Sequence, residues 1–230
     1  MLANRVAMGS GGKLPKKLPL EQMSWKDIDK VSQAGKASNY WSIGDKKAIT
    51  VSGATYQAQI IAFGHDNLTG GGKAGITFQL ENCLSTTYKM NNSDTNDGGW
   101  KSSVMRTSTM VTLFNGLASD LKAVIKPVDK ITSKGNKLTT KDTTSDKLFL
   151  LSEIEIFGSI EYSVLGEGSQ YQFYKSGNSK IKKVGASAGL WWERSPHASN
   201  TTYFCFVSSD GSANLGAASD SFGVAFGFCI

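Results

Sequence analysis

Few side chains of this sequence can do covalent or metal chemistry. The histidines are His65 and His197, and the cysteines are Cys83, Cys205 and Cys229. A serine hydrolase needs a base beside its nucleophile. Only those two imidazoles can serve, and no G-x-S-x-G elbow accompanies them. His65 stands in GHDN, where a hydrogen-bonding turn residue is the simpler role. No two cysteines have C-x-x-C spacing, so no zinc site is expected. Cys205 and Cys229 sit among phenylalanines, in FCF and GFCI, and read as buried thiols acting as small hydrophobes. A disulfide between them stays open as the alternative. Oxygen ligands crowd DTNDGG at Asp94–Gly99 without the rest of an EF-hand loop, which leaves at most a structural ion there. No catalytic residue, resident metal or cofactor is expected. The chain reads as a binding protein and not an enzyme.

The elements that must position any binding surface are mostly strands. Hydrophobic residues make up 40% of the 230 residues and glycine accounts for 25, a balance suited to short strands and tight turns. The formal charge is +6, but the lysines cluster only at Lys16–Lys17, Lys46–Lys47 and Lys180, Lys182 and Lys183. That is no nucleic-acid patch, and solvated lysines explain the charge. The first twenty residues lack the apolar stretch of a secretion signal, and no run is long enough to span a membrane.

Residues 1–19 read as an arm. Ser24 caps a helix over 24–34 that Gly35 stops, with Trp25, Ile28 and Val31 on one face. Strands follow at 48–51, 56–63 and 75–80 as an antiparallel meander. Residues 98–126 read as mostly helical, with Ser119 capping the last short helix. Residues 128–146 read as an exposed hairpin or loop, 148–151 as a buried strand, and Ser152 and Glu155 as a capping box. Residues 158–188 read as a surface excursion, and 189–230 as a strand-rich core. The division expected is an arm and helix over 1–38, available for attachment to a carrier or for self-association, and one domain over 39–230.

Several strings in order carry a resemblance: NYWSIGDKKAITV, IIAFGHDNL, GITFQLENCL, MNNSDTNDGGWKSSVMR, DKLFLLSEIEIFG, WWERSP and GVAFGFCI. From about Asn39 to Ile230 the chain resembles the DUF6273 family, found in gut bacteria and their phages. The resemblance implies an α+β domain of C-type-lectin-like fold, in its formylglycine-generating-enzyme-like variety, with small antiparallel sheets, two or more helices and long loops. The enzymes of that fold use a thiol pair and copper; Cys205 and Cys229 carry no matching motif. The C-terminal part also resembles the variable proteins of diversity-generating retroelements. There, adenine-directed copying turns Asn codons into any codon ending in a pyrimidine, which excludes Lys, Gln, Glu, Trp and Met.

The chain's composition bears on that resemblance. All 50 of its Lys, Arg, Gln, Glu, Trp and Met residues lie at or before Arg194. None lies in 195–230, where roughly eight would follow from the chain's average composition. The stretch instead uses Ser, Asn, Gly, Tyr and Phe, as paratopes do, although tight buried strands would also lack long polar side chains. The expected variable contacts are His197, Asn200, Tyr203, Phe206, Ser208, Ser209, Ser212, Asn214, Leu215, Ser219, Ser221 and Phe222. Tyr203 and Phe206 are the expected anchors on one shared face; a register shift would exchange Phe206 for Phe204. Trp191, Trp192 and Arg194 are expected as scaffold, with Arg194 paired to a carboxylate, and Val224, Phe226 and Phe228 as an alternating core strand. The implied partner is a protein or glycan on a host or bacterial cell surface, met from a virion or a cell surface. A constant structural module without a variable face is the alternative.

Overall fold

The apolar spacing and capping signals of the first hundred residues translate directly into structure. The structure, a computed structural model, describes residues 13–230; the expected arm lies outside the described residues up to Gly12. In chain order the elements are α1 (Trp25–Gln33), α2 (Ala37–Tyr40), β1 (Lys46–Val51), β2 (Ala54–Phe63), β3 (Ile76–Leu80), α3 (Gly99–Ser102), α4 (Met110–Asn115), α5 (Ser119–Lys122), β4 (Val128–Ser133) and β5 (Lys141–Asp146). There follow α6 (Glu153–Phe157), α7 (Gln172–Lys175), β6 (Lys182–Val184), β7 (Ser187–Gly189), β8 (Trp191–Pro196), β9 (Tyr203–Val207), β10 (Ala213–Ala217) and β11 (Gly227–Cys229). The protein is a mixed α+β structure of small antiparallel sheets.

Ser24 caps α1 by accepting from the Asp27 N–H, and Trp25, Ile28 and Val31 are buried. That face is used up inside the molecule. The Trp25 ring meets Phe78 edge-on at 5.7 Å and Phe228 at 6.2 Å, and the Ser32 hydroxyl donates to the Ile230 carbonyl at 2.5 Å. α1 is a layer of the same core, and its apolar face is not free for a carrier.

The expected meander forms as β1-β2-β3, and β11 adds antiparallel to β3 as the fourth strand. Every residue from Gly223 to Ile230 is buried, so this end of the chain does not alternate between core and solvent as expected. The sheet is covered on both faces there, and a strand in that setting reads as continuously apolar.

Other expectations need correction. Ser119 is the first residue of α5 and makes no capping bond; extended Ala118 precedes it. The segment 128–146 is a hairpin, β4 with β5, but it is not merely exposed. Lys130, Thr132, Thr144 and Asp146 point inward and are buried. Residues 148–151 are buried without forming a strand. Phe149 exchanges both backbone bonds with Gly227, and the chain then turns into α6 at the Ser152–Glu155 capping box. The excursion 158–188 sends Glu167, Tyr171, Tyr174 and Lys182 into the interior. Lys130 and Lys182 are thus not solvated; the Lys182 ammonium donates to the carbonyls of Leu80 and Glu81 at 2.7 and 3.0 Å. All three cysteines are buried free thiols. No described helix is long and apolar enough to cross a membrane.

Candidate functional site

Polar residues from separate motifs meet in a buried network. Arg194 is fully buried on β8, and its guanidinium grips both carboxylate oxygens of Glu155, the capping-box residue of α6. It also donates to Thr132 Oγ1 at 2.9 Å and to the carbonyls of Leu150 and Glu167 at 3.0 and 2.5 Å. Lys130 on β4 joins Glu155 to a second centre through its ammonium, which donates to Glu155 at 3.1 Å, to Asp66 at 2.5 Å and to the Tyr171 hydroxyl at 2.7 Å.

 Thr77 donates to Asp66 at 2.6 Å. Glu167 accepts from the Ser133 N–H at 2.7 Å and from the Ser195 hydroxyl.

The charges in this network are set by their neighbours. Burial opposes ionisation of Asp66, but the Lys130 ammonium together with hydrogen bonds from His65 and Thr77 outweighs it and holds the carboxyl well below its ordinary range. Glu155 is lowered in the same way, against burial, by Arg194 and Lys130. Glu167 has too little compensation, and burial pushes it up to about 7. Burial also drives Glu193 well above the ordinary value, with Glu153 and Glu167 adding to the rise. Neither Glu193 carboxyl oxygen has a partner among the described residues.

This cluster is closed to a ligand. Trp191, Trp192 and Arg194 are fully buried, so no ligand stacks on either indole in this structure. Their indole N–H groups donate to the carbonyls of Lys180 and Tyr88 at 3.0 and 2.8 Å. The motifs that carried the resemblance therefore converge on an internal lock. Sequence reasoning missed Lys130, Glu167, Tyr171 and Glu193, since each lies in a stretch that looks polar and exposed or beside a louder residue.

The expected contacts are carried by the second sheet, ordered β10-β9-β8, and by its loops. Tyr203, Ser209, Ser212, Asn214 and Ser221 are exposed, and His197, Ser208, Leu215 and Phe222 are half-buried. Phe206 is not an anchor. It is 5% exposed, packed against Phe222 at 4.7 Å and Trp192 at 6.2 Å. Phe204 does not take its place, since it is fully buried. Asn200 is half-buried and its amide oxygen holds the Thr202 N–H and hydroxyl at 2.7 Å. Ser219 is tied to Asp94, donating from its hydroxyl at 2.5 Å and from its N–H at 3.1 Å.

One shared face does not exist either. Side chains alternate along strands, and the register sets Asn214 opposite Phe206 and Leu215 opposite Cys205. Asn214, Ser208 and Phe206 thus fall on one side of the sheet, where Asn214 Nδ2 donates to Ser208 Oγ at 3.3 Å. Tyr203 and Leu215 fall on the other, beside His197, whose ring lies 6.5 Å from that of Tyr203. What the candidates share is a rim: the edge strand β10, the hairpin tip at Ser209 and the loops at either end.

That rim is held from behind by the DTNDGG stretch and the residues before it. Tyr88 and Phe222 exchange backbone bonds at 2.9 and 3.0 Å, and the Asn91 N–H donates to the Ala218 carbonyl at 2.8 Å. The buried Asn96 side chain donates to the carbonyls of Asn200 and Tyr203 at 2.8 and 2.9 Å, and accepts from the Asn136 N–H at 2.8 Å. Gly135 lies so close that an added Cβ would stand 1.8 Å from the Asn96 carbonyl oxygen. The Asp94 and Asn96 side-chain oxygens of this stretch are therefore engaged as a clamp, and among the described residues no three His, Cys, Asp or Glu are grouped to hold a metal. Replacing Asn96 with alanine leaves the Asn200 carbonyl and the Asn136 N–H without that partner, takes one of two donors from the Tyr203 carbonyl, which keeps the His197 N–H, and should cost about 2 kcal/mol. Hydrogen exchange should then speed up first in the 197–203 loop, and uniform acceleration would contradict the clamp.

A separate groove of about 420 Å³, lined by Arg106, Met110, Val111, Phe114, Asp146 and Lys147 among others, draws no residue from the C-terminal segment. No curated protein and no solved structure matches the chain. Residues 74–230, more than half of the sequence, match the family described as Domain of unknown function (DUF6273). The match begins just before β3, inside the main sheet, and the chain belongs to that family.

Proposed function

We propose that the protein is a ligand-display module of C-type-lectin-like fold, a variable protein of a diversity-generating retroelement. It recognises a protein or glycan on a cell surface through the rim around β10, as part of a phage particle or a bacterial surface structure. One observation carries this reading: residues 195–230 contain no Lys, Gln, Glu, Trp or Met, although the rest of the chain holds all 47. The buried lock and the Asn96 clamp support it physically. They fix the backbone through residues outside the rim, so exposed side chains there can change without unfolding the domain. The N-terminal region remains the proposed attachment to a carrier or to sister subunits.

The alternative, a constant module with no variable face, draws on two observations. Phe206 is core, and the strand-borne candidates divide between two sides of one sheet. Gene sequence separates the readings. A neighbouring reverse transcriptase and an imperfect repeat of the 3′ end, differing at adenines, belong only to the first. Copies from related genomes should then vary at Tyr203, Ser209, Ser212 and Ser221 while Phe206 and Asn96 stay fixed; variation spread evenly over the surface would count against display. A direct test of tolerance is to replace those four exposed residues together with other pyrimidine-codon residues. The thermal midpoint should move by no more than surface substitutions do, within about 0.5 kcal/mol per site.

A further inference from the structure

The second sheet ends on an open side. β10 pairs with β9, and among the described residues no strand lies beyond it. The hydrogen bonds decide which backbone groups face outward. The Ser208 N–H donates to the Ser212 carbonyl at 2.8 Å and the Ala218 N–H to the Thr202 carbonyl at 2.9 Å. With Asn214 opposite Phe206 and Gly216 opposite Phe204, the even-numbered residues of β10 direct their backbone groups to β9. Ala213, Leu215 and Ala217 therefore turn N–H and C=O away from the sheet.

The strand reads Ala-Asn-Leu-Gly-Ala, with no charge, proline or bulge to discourage pairing. Two side chains cover two of the three outward donors instead. Asn214 Oδ1 accepts from the Leu215 N–H at 2.8 Å, and Asp220 Oδ2 accepts from the Ala217 N–H at 3.0 Å. The Asp220 N–H in turn occupies the Ala217 carbonyl at 2.9 Å. The Ala213 and Leu215 carbonyls have no partner among the described residues.

We propose that the outer edge of β10 is a strand-addition surface for a second copy of this chain, held shut by Asn214 and Asp220. A two-fold axis through Leu215 sets Leu215 against Leu215 and Ala213 against Ala217. The outward groups of the two copies then form an antiparallel ladder. The pairing is self-complementary and brings no like charges together across it. With the Leu215 and Ala217 amides already satisfied by side chains, the edge gains less from a partner, which opposes pairing of the parent chain. Asn214 is also one of the candidate contacts, so a relative with an apolar residue there would carry an open edge. The inference rests on backbone geometry and does not depend on the display reading.

Sedimentation velocity over a concentration series tests it. The variant Asn214→Val with Asp220→Ala should form dimers at concentrations at least tenfold below any at which the parent protein does. Adding Leu215→Lys to that variant should abolish the dimer, because two ammonium groups would face each other across the axis. If the double variant does not fold, Asn214→Ala alone removes the central guard and leaves the turn at Asp220 intact. A folded guard variant that sediments like the parent throughout would overturn the proposal, and so would association that survives Leu215→Lys.

Discussion

Arg194→Met lowers the stability of the protein by roughly 3–5 kcal/mol, the range for removing one partner of a buried ion pair. In a chain of this size that is a fall in thermal midpoint of roughly 6–20 °C. The loss comes from what the guanidinium leaves behind. Glu155 loses its two-pronged partner and the Leu150 carbonyl, the Glu167 carbonyl and Thr132 lose donors, all in the interior. A methionine refills much of the volume, so the effect reports charge and hydrogen bonding more than a cavity. Glu155→Met alone should be nearly as harmful, since it strands Arg194. The double variant should lose at least 1 kcal/mol less than the two single losses added together, because each change removes the charge that the other leaves unpaired. Strict additivity, read by denaturant unfolding, would mean that the two side chains do not act as a pair.

The same residues show how far the sequence could be read. Ser24, Asp27 and Gly35 announce α1, and Ser152 with Glu155 announces α6, because capping is local chemistry written in adjacent residues. The meander was legible from alternation between turns. Arg194 called for a carboxylate, but nothing in the spacing names Glu155, 39 positions away. Lys130 was hidden because a lysine in a Thr-rich hairpin has the look of a solvated one; only the tertiary fold brings Asp66, Glu155 and Tyr171 around it. Phe206 was misplaced for a related reason. Strand alternation assigns it a side, but that side is covered by Phe222 and Trp192, which come from other segments. The clamp at Asn96 was visible as a cluster of oxygens and open to being taken for ion ligands until the loop it holds came into view.

Stability should peak in mild acid, near pH 5, and decline towards pH 8. Two sets of carboxyls act in opposite directions. Asp66 and Glu155 are lowered in the folded state, so what they contribute is present above their unfolded values of 3.8 and 4.5 and is lost in stronger acid. Glu167 and Glu193 are raised, so their contribution is complete below 4.5 and is lost as pH rises through the folded values, about 7 for Glu167. Between 4.5 and 7 the folded chain holds protons that the unfolded chain has released. For Glu167 alone this amounts to roughly 3 kcal/mol by pH 8. Folding at pH 6 should therefore take up protons, which calorimetry in buffers of different ionisation enthalpy can measure. Glu193→Gln isolates part of the effect. Neither oxygen of Glu193 has a partner to lose among the described residues, and the amide stays neutral at any of these pH values. The variant should match the parent at pH 5, exceed it at pH 8, and show a shallower decline between them. A parent protein whose midpoint rises from pH 5 to pH 8 would reverse the sign and remove the assignment of buried, proton-holding glutamates beside Arg194.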